Sequence, residues 1–187
     1  MAGRPRSFDA EIALEKIMEA FWDRGFAGTS IDELLDRIGV KRGSFYAAFG
    51  DKENAWRLAL ARYTETVTAA GFSILESADA PEEKIGSFIR FAGRLLADNC
   101  GRGCMFLSAA SEALPASPAT QAHFARLESR LFATIRRKAP EPVGSYVIAL
   151  LLGMNAMARG GMRAESILAA AEIGSKTAGS MLATRAY

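Results

Sequence analysis

Apolar residues recur at three- and four-residue intervals along almost the whole chain. No run alternates strictly with β-branched residues, as a half-buried strand would, so the pattern predicts an all-α protein of about nine helices. The first opens behind Asp9, whose carboxylate can accept from free backbone N–H groups. It carries Leu14, Ile17, Met18, Phe21 and Trp22 on one stripe and ends at Gly25. Ser30-Ile-Asp-Glu33 has the form of a capping box, and Ile31, Leu34, Leu35 and Ile38 follow on one face before Gly39 supplies a left-handed exit. A third helix follows at once over 41–49. Asp51 caps a fourth, which runs without a proline to about 78 and, at ~1.5 Å per residue, leads well away from the small amino-terminal unit. Asp79 and Pro81 start another, with Ile85, Phe88, Ile89, Ala92, Leu95 and Leu96 inward, which Gly101 and Gly103 break after Asn99. A short helix over about 105–114 stops before Pro115. Ser117-Pro118 opens one carrying Phe124, Leu127, Leu131, Phe132 and Ile135, and two last helices, about 142–159 and 164–184, flank Gly160-Gly161.

Composition narrows the function classes. At 187 residues and 50% hydrophobic, the chain can bury a core in one or two domains. Lys+Arg number 23 against 21 Asp+Glu, a formal charge of +2, so no general basic excess attracts nucleic acid and any DNA contact depends on placed cations. Cys100 and Cys104 are too few to staple a secreted scaffold. The single histidine, His123, leaves little material for a zinc site or a Ser-His-Asp triad, so neither metal, cofactor nor enzymatic activity is expected. No signal-peptide core follows the charged amino terminus. The most apolar stretch, 147–158, is interrupted by Asn155 and falls short of the roughly 20 residues a bilayer needs. A cytoplasmic protein without membrane contact is expected.

The segment from Thr29 to Lys52 carries the function. Two short helices joined by a turn at Gly39-Val40, with apolar residues placed to lock them together, form a helix-turn-helix pattern. The second helix must enter a major groove about 12 Å wide, which requires a short, glycine-containing turn. Val40, Phe45 and Phe49 face inward in this reading. Lys41, Arg42, Ser44 and the Tyr46 hydroxyl are left to face DNA, and Gly43 lets the backbone approach a phosphate.

At these residues the sequence resembles the TetR/AcrR family of bacterial transcriptional regulators. Gly39-Val-Lys-Arg-Gly-Ser-Phe-Tyr-Ala-Ala-Phe-Gly-Asp-Lys-Glu53 closely follows the family's recognition-helix signature, and the likeness extends over residues 3 to 62. It implies an amino-terminal helix-turn-helix domain over residues 1–50 and a carboxy-terminal helical domain over 51–187 that binds effector and dimerises. It also implies that Thr29 and Ser30 hold a phosphate at a helix start, that Lys41, Arg42 and Ser44 reach base edges or flanking phosphates, that Tyr46 bonds a phosphate oxygen, and that Lys52 pairs with the DNA backbone. Arg4 and Arg6 flank Pro5 in an arm that either enters an adjacent minor groove or stays a solvated tail. Lys41 departs from the family pattern, which often has Ser or Thr there, so about 1 kcal/mol of capping is missing. Ala47 and Ala48 replace larger groups. Residues 1–62 hold ten basic and ten acidic groups, so placement rather than total charge must favour DNA.

The carboxy-terminal residues read less sharply. Core packing is the commoner fate of Phe88, Phe91, Leu95, Met105, Phe106, Phe124, Leu127 and Met154. The family resemblance makes them candidate walls of a mostly apolar effector cavity, with Glu112, Asn155 and Arg159 as polar anchors. Gly103-Cys-Met-Phe-Leu107 is similar to a segment in which some relatives use a cysteine to sense oxidants or electrophiles, making Cys104 a candidate redox sensor against the commoner reading of a buried small hydrophobe. The helix over 146–157 is apolar nearly all round. The last helix offers Ile167, Ala171, Gly174, Ala178 and Met181, which suits a four-helix homodimer contact. The reading is therefore a homodimeric repressor released from a pseudo-palindromic operator by a small effector. The alternatives are a cysteine switch and a helical interaction module that does not bind DNA.

Overall fold

A computed structural model describes residues 8–111, 118–135 and 141–183. Three helices build the amino-terminal unit: α1 (Ala10–Gly28), α2 (Ile31–Ile38) and α3 (Arg42–Phe49). Their ends are set by local chemistry. The Asp9 carboxylate accepts from the backbone N–H of Glu11 at 2.9 Å and of Ile12 at 3.3 Å. Gly25, at φ 70° and ψ 177°, breaks the helical path of α1 before its final turn. Gly39 closes α2 at φ 71°, its N–H donating to the Leu35 carbonyl at 2.8 Å. Asp51 caps α4 (Lys52–Tyr63) by accepting from Asn54 N–H at 2.8 Å. Ile17, Phe21, Leu34, Phe45, Phe49 and Trp56 are buried together, with Phe21 edge-on to Trp56 at 5.0 Å and Phe45 against Phe49 at 5.5 Å. Each such side chain contributes about 1.5–3 kcal/mol on burial, which offsets the weak intrinsic stability of eight-residue helices.

The long fourth helix of the sequence pattern is one rod with a defect. α4 passes into a π-helical turn at Thr64–Thr68 and continues as α5 (Ala69–Glu76). Three threonines crowd this stretch. Each hydroxyl donates to a carbonyl four residues back: Thr64 to Leu60 at 2.9 Å, Thr66 to Arg62 at 2.8 Å and Thr68 to Thr64 at 3.2 Å. Such bonds compete with the regular ladder, and β-branched residues are already poor helix formers.

Beyond it lie α6 (Pro81–Asp98), α7 (Met105–Ser111), α8 (Pro118–Ile135), α9 (Glu141–Arg159) and α10 (Ala164–Ala183), making nine helical rods among the described residues. Residues 112–114, expected to extend the short helix, lie outside those described. Glycine permits α10 to lie close to both its neighbours: a Cβ on Gly93 of α6 would stand 2.3 Å from the Ala171 Cβ of α10, and one on Gly174 of α10 would stand 2.2 Å from a Leu150 methyl of α9. Among the described residues no helix is long and apolar enough to cross a membrane.

Candidate nucleic-acid interface and effector cavity

The amino-terminal end of α3 is open. Lys41 is exposed at its N-cap and makes no side-chain capping bond. Gly43 is exposed in the first turn, with no positive φ and nothing within 4 Å of where a Cβ would stand, so the fold does not require glycine there. Ser44 is half-buried. Tyr46 is 44% exposed, its ring edge-on to Phe45 at 5.7 Å. Phe45 and Phe49 face the core and Val40 packs partly buried against it. Sequence reasoning missed that the Arg42 guanidinium pairs with the Asp32 carboxylate across the turn between α2 and α3. Lys52 lies with its Nζ 4.3 Å from the Phe26 ring centroid, and partial burial lowers its pKa.

Thr29 departs from the sequence expectation. It is fully buried, and its hydroxyl donates to the Gly25 carbonyl at 2.8 Å, so its side chain ties down the break in α1 and does not offer itself to a phosphate. Ser30 is exposed. Its hydroxyl accepts from Glu33 N–H at 3.1 Å, but only half the capping box forms, because the Glu33 carboxylate reaches Arg24 at 3.3 Å instead. Arg4, Arg6 and Glu112 lie outside the described residues, as does the side chain of Phe124.

In the helical body, a cavity of about 60 Å³ lies between α5, α6 and α7. Phe88, Phe91, Leu95, Phe106 and Leu127 line it as the sequence suggested, joined by Thr68, Gly71 and Phe72 from the π turn and α5, and by Cys104. Two expected wall residues and one expected polar anchor are elsewhere. Met105 and Met154 are buried in the surrounding core. Asn155, expected as a polar anchor, does not line the cavity: its Oδ1 accepts from Cys104 N–H at 2.7 Å and its Nδ2 donates to Ser108 Oγ at 3.4 Å, which pins the turn at Gly103. Arg159 is exposed, with its Cγ 3.0 Å from where a Gly103 Cβ would stand.

That turn also holds the two parts of the molecule together. The Trp22 indole Nε1–H donates to the Gly103 carbonyl at 2.7 Å, its ring lies edge-on to Tyr63 at 4.9 Å, and the Arg102 guanidinium stacks over it at 4.1 Å while pairing with Asp23 at 2.8 Å. No spacing rule links residues 22 and 103. Cys104, beside the Tyr63 hydroxyl, is buried, and burial pushes its thiol pKa up. A raised pKa disfavours the reactive thiolate. Iodoacetamide should therefore label exposed Cys100 well before Cys104, read by peptide mass mapping over a time course; equal labelling rates in folded protein would contradict this burial.

The packed three-helix head with an outward recognition helix, mounted on a helical body, defines the helix-turn-helix class of regulators. Residues 13–54 match the family described as bacterial regulatory proteins, tetR family. The transcriptional repressor BdcR of Escherichia coli (strain K12) is 29% identical over 174 residues, 90% of this chain and 88% of that protein. The uncharacterized regulator YezE of Bacillus subtilis (strain 168) is 29% identical over 130 residues, covering 69% and 67% respectively. A solved structure of a cysteine-substituted TetR family regulator, CifR, complexed with a 26bp double-strand operator DNA, matches with a TM-score of 0.80 at 26% identity, over 93% of this chain and 98% of that one. Residues 13–54 thus carry the DNA-binding region of the TetR family, and the chain is similar along most of its length to transcriptional regulators of that family.

Proposed function

We propose that this chain is a homodimeric repressor that holds a pseudo-palindromic DNA operator and lets go when a small, mostly apolar effector binds. The observation that carries the reading is the open end of α3, where Lys41, Arg42 and Tyr46 stand outward from a fully packed head. Lys41, Arg42, Gly43, Ser44, Tyr46, Ser30 and Lys52 supply the contacts, with Arg4 and Arg6 on the preceding arm. Residues 1–50 form the DNA-reading unit and 51–187 the effector and dimer unit. BdcR is itself called a repressor, and CifR is complexed with operator DNA, which supports the same assignment here. Such a protein works in the cytoplasm beside the chromosome, and no catalytic step is part of this reading.

Dimerisation through α9 and α10 accounts for the apolar side chains left outside on α10. Leu168 and Ile173 on α10 are 41% and 66% exposed. A twofold contact there would set two recognition helices about 34 Å apart, one helical turn of DNA. Release is then a linkage. An effector that fits a widened cavity beside α5 favours a different position of the α4–α5 rod and of the heads attached to it, so effector and operator weaken one another by the same factor. A buried Cys104 gives the cysteine-switch alternative little support. Selection of bound DNA from a random pool tests the whole reading: an enriched palindrome supports it, and no enrichment at low salt overturns it.

Gly43→Ala separates fold from function. Alanine at an exposed, unstrained helical position should raise stability by about 0.5–1 kcal/mol. The added methyl should obstruct a phosphate approaching the backbone and lower operator affinity. A melting curve and a DNA titration read the two effects; unchanged affinity would remove Gly43 from the interface.

A further inference from the structure

Phe106 is a wall shared by two spaces. On one side is the apolar cavity, and on the other a more open cleft of about 390 Å³ between α4 and α8, edged by Arg57, Thr64, Glu65 and Arg126. The π turn spans the same partition, with Thr64 on the cleft and Thr68 on the cavity. A π turn gives up regular helical bonding and frequently marks a functional position.

The two spaces have complementary chemistry. In the cleft, the Arg57 guanidinium donates, among the described residues, only to the neutral Asn54 Oδ1, at 2.9 and 3.1 Å. Arg126 is exposed and, among the described residues, makes no ion pair. Among the described residues Glu65 is the acid on this rim, so there two guanidinium groups outnumber one carboxylate. Guanidinium matches a carboxylate in shape and charge. The cavity offers nothing comparable. Its Thr68 hydroxyl is taken up by the Thr64 carbonyl and its Cys104 thiol is held neutral by burial, so it suits apolar atoms and would exclude a charge. The cleft, at about 390 Å³, already falls within the ~300–1,000 Å³ of small-molecule sites, while the cavity, at about 60 Å³, is far smaller; a turn of the Phe106 ring would join it to the cleft as a recess for apolar atoms.

We propose that cavity and cleft are the two halves of one effector site, built for a small monocarboxylate with an apolar tail. The tail passes Phe106 into the cavity and the carboxylate stays in the cleft at Arg57 and Arg126. This rests on the effector-released reading above and gives its effector a chemical class. It also places the ligand on both faces of the π turn in the α4–α5 rod that leads from the DNA-reading unit.

Octanoate and octanol share a tail and differ in charge, so titration calorimetry of the full-length protein with each isolates the cleft. Octanoate should bind at least tenfold more tightly, about 1.4 kcal/mol. Arg126→Gln and Arg57→Gln should each remove most of that advantage while leaving octanol binding unchanged. Both arginines are exposed, so the variants should keep the melting temperature of the parent. Octanol binding as tightly as octanoate, neither ligand binding, or both ligands weakening equally in the arginine variants would each overturn the proposal. Operator titration in the absence of ligand separates this from the functional reading: a protein that holds its operator but ignores octanoate refutes the carboxylate site alone, and one that binds no DNA refutes the repressor assignment.

Discussion

Trp22→Ala is expected to cost about 3–5 kcal/mol of folding stability, a large share of the ~5–15 kcal/mol that holds an ordinary domain together. The indole is buried between α1 and the rest of the body. Alanine would lose its edge-on contact with Tyr63, the Arg102 stack and the bond to the Gly103 carbonyl together. Trp22→Phe dissects the loss: it keeps most of the ring but orphans a buried carbonyl, for about 1–3 kcal/mol. The accompanying ion pairs of Arg102 with Asp23 and Glu19 are partly exposed and add little. Urea titrations read the difference as a shift in midpoint at constant slope. Because the same bond ties the DNA-reading head to the turn beside the cavity, Trp22→Phe should also shrink the factor by which effector weakens operator binding. A phenylalanine variant within a few tenths of a kcal/mol of the parent would show that the indole bond does not join the two units.

What could be read from the sequence is what acts within a turn or two of the chain. Asp9, Ser30 and Asp51 cap the helices they precede, Gly39 ends α2, and Gly25 breaks α1 one turn before its end, because capping and positive-φ breaks need only neighbouring atoms. Interactions across the fold were hidden. Glu33 has the right spacing to complete a capping box, yet a better-charged partner, Arg24, lies within reach once α1 and α2 pack. Thr29 looks like a helix-start residue open to phosphate, and packing turns its hydroxyl inward. Periodicity placed Phe106, Met105 and Met154 on inward faces alike, but only Phe106 borders the cavity, since a period shows which side faces in and not where neighbours fail to fill space. Asn155 looked like a polar anchor for a ligand and instead caps a turn 51 residues away in sequence. The π turn depends on threonine hydroxyls bonding back to the chain, and three threonines in five residues, 64–68, were the available hint.

The Lys41→Ala, Arg42→Ala double variant should lose operator affinity by up to roughly 10³-fold near 0.15 M salt. The estimate takes both cations as phosphate contacts, about four per dimer, each carrying a salt slope of ~0.9. The logarithmic salt dependence should flatten by about the same sum, which distinguishes lost phosphate contacts from a damaged fold, and the exposed positions leave the core of the head intact. Arg42 does not begin free, however. Its guanidinium pairs with Asp32, so DNA must draw it away from an exposed carboxylate that also repels phosphate. Asp32→Asn should therefore act in the opposite direction, tightening operator binding a few-fold while the salt slope stays the same or steepens. The order Asp32→Asn, parent, double variant in falling affinity would fix the open end of α3 as the DNA face; a double variant that keeps both affinity and slope would move the DNA face to another part of the head.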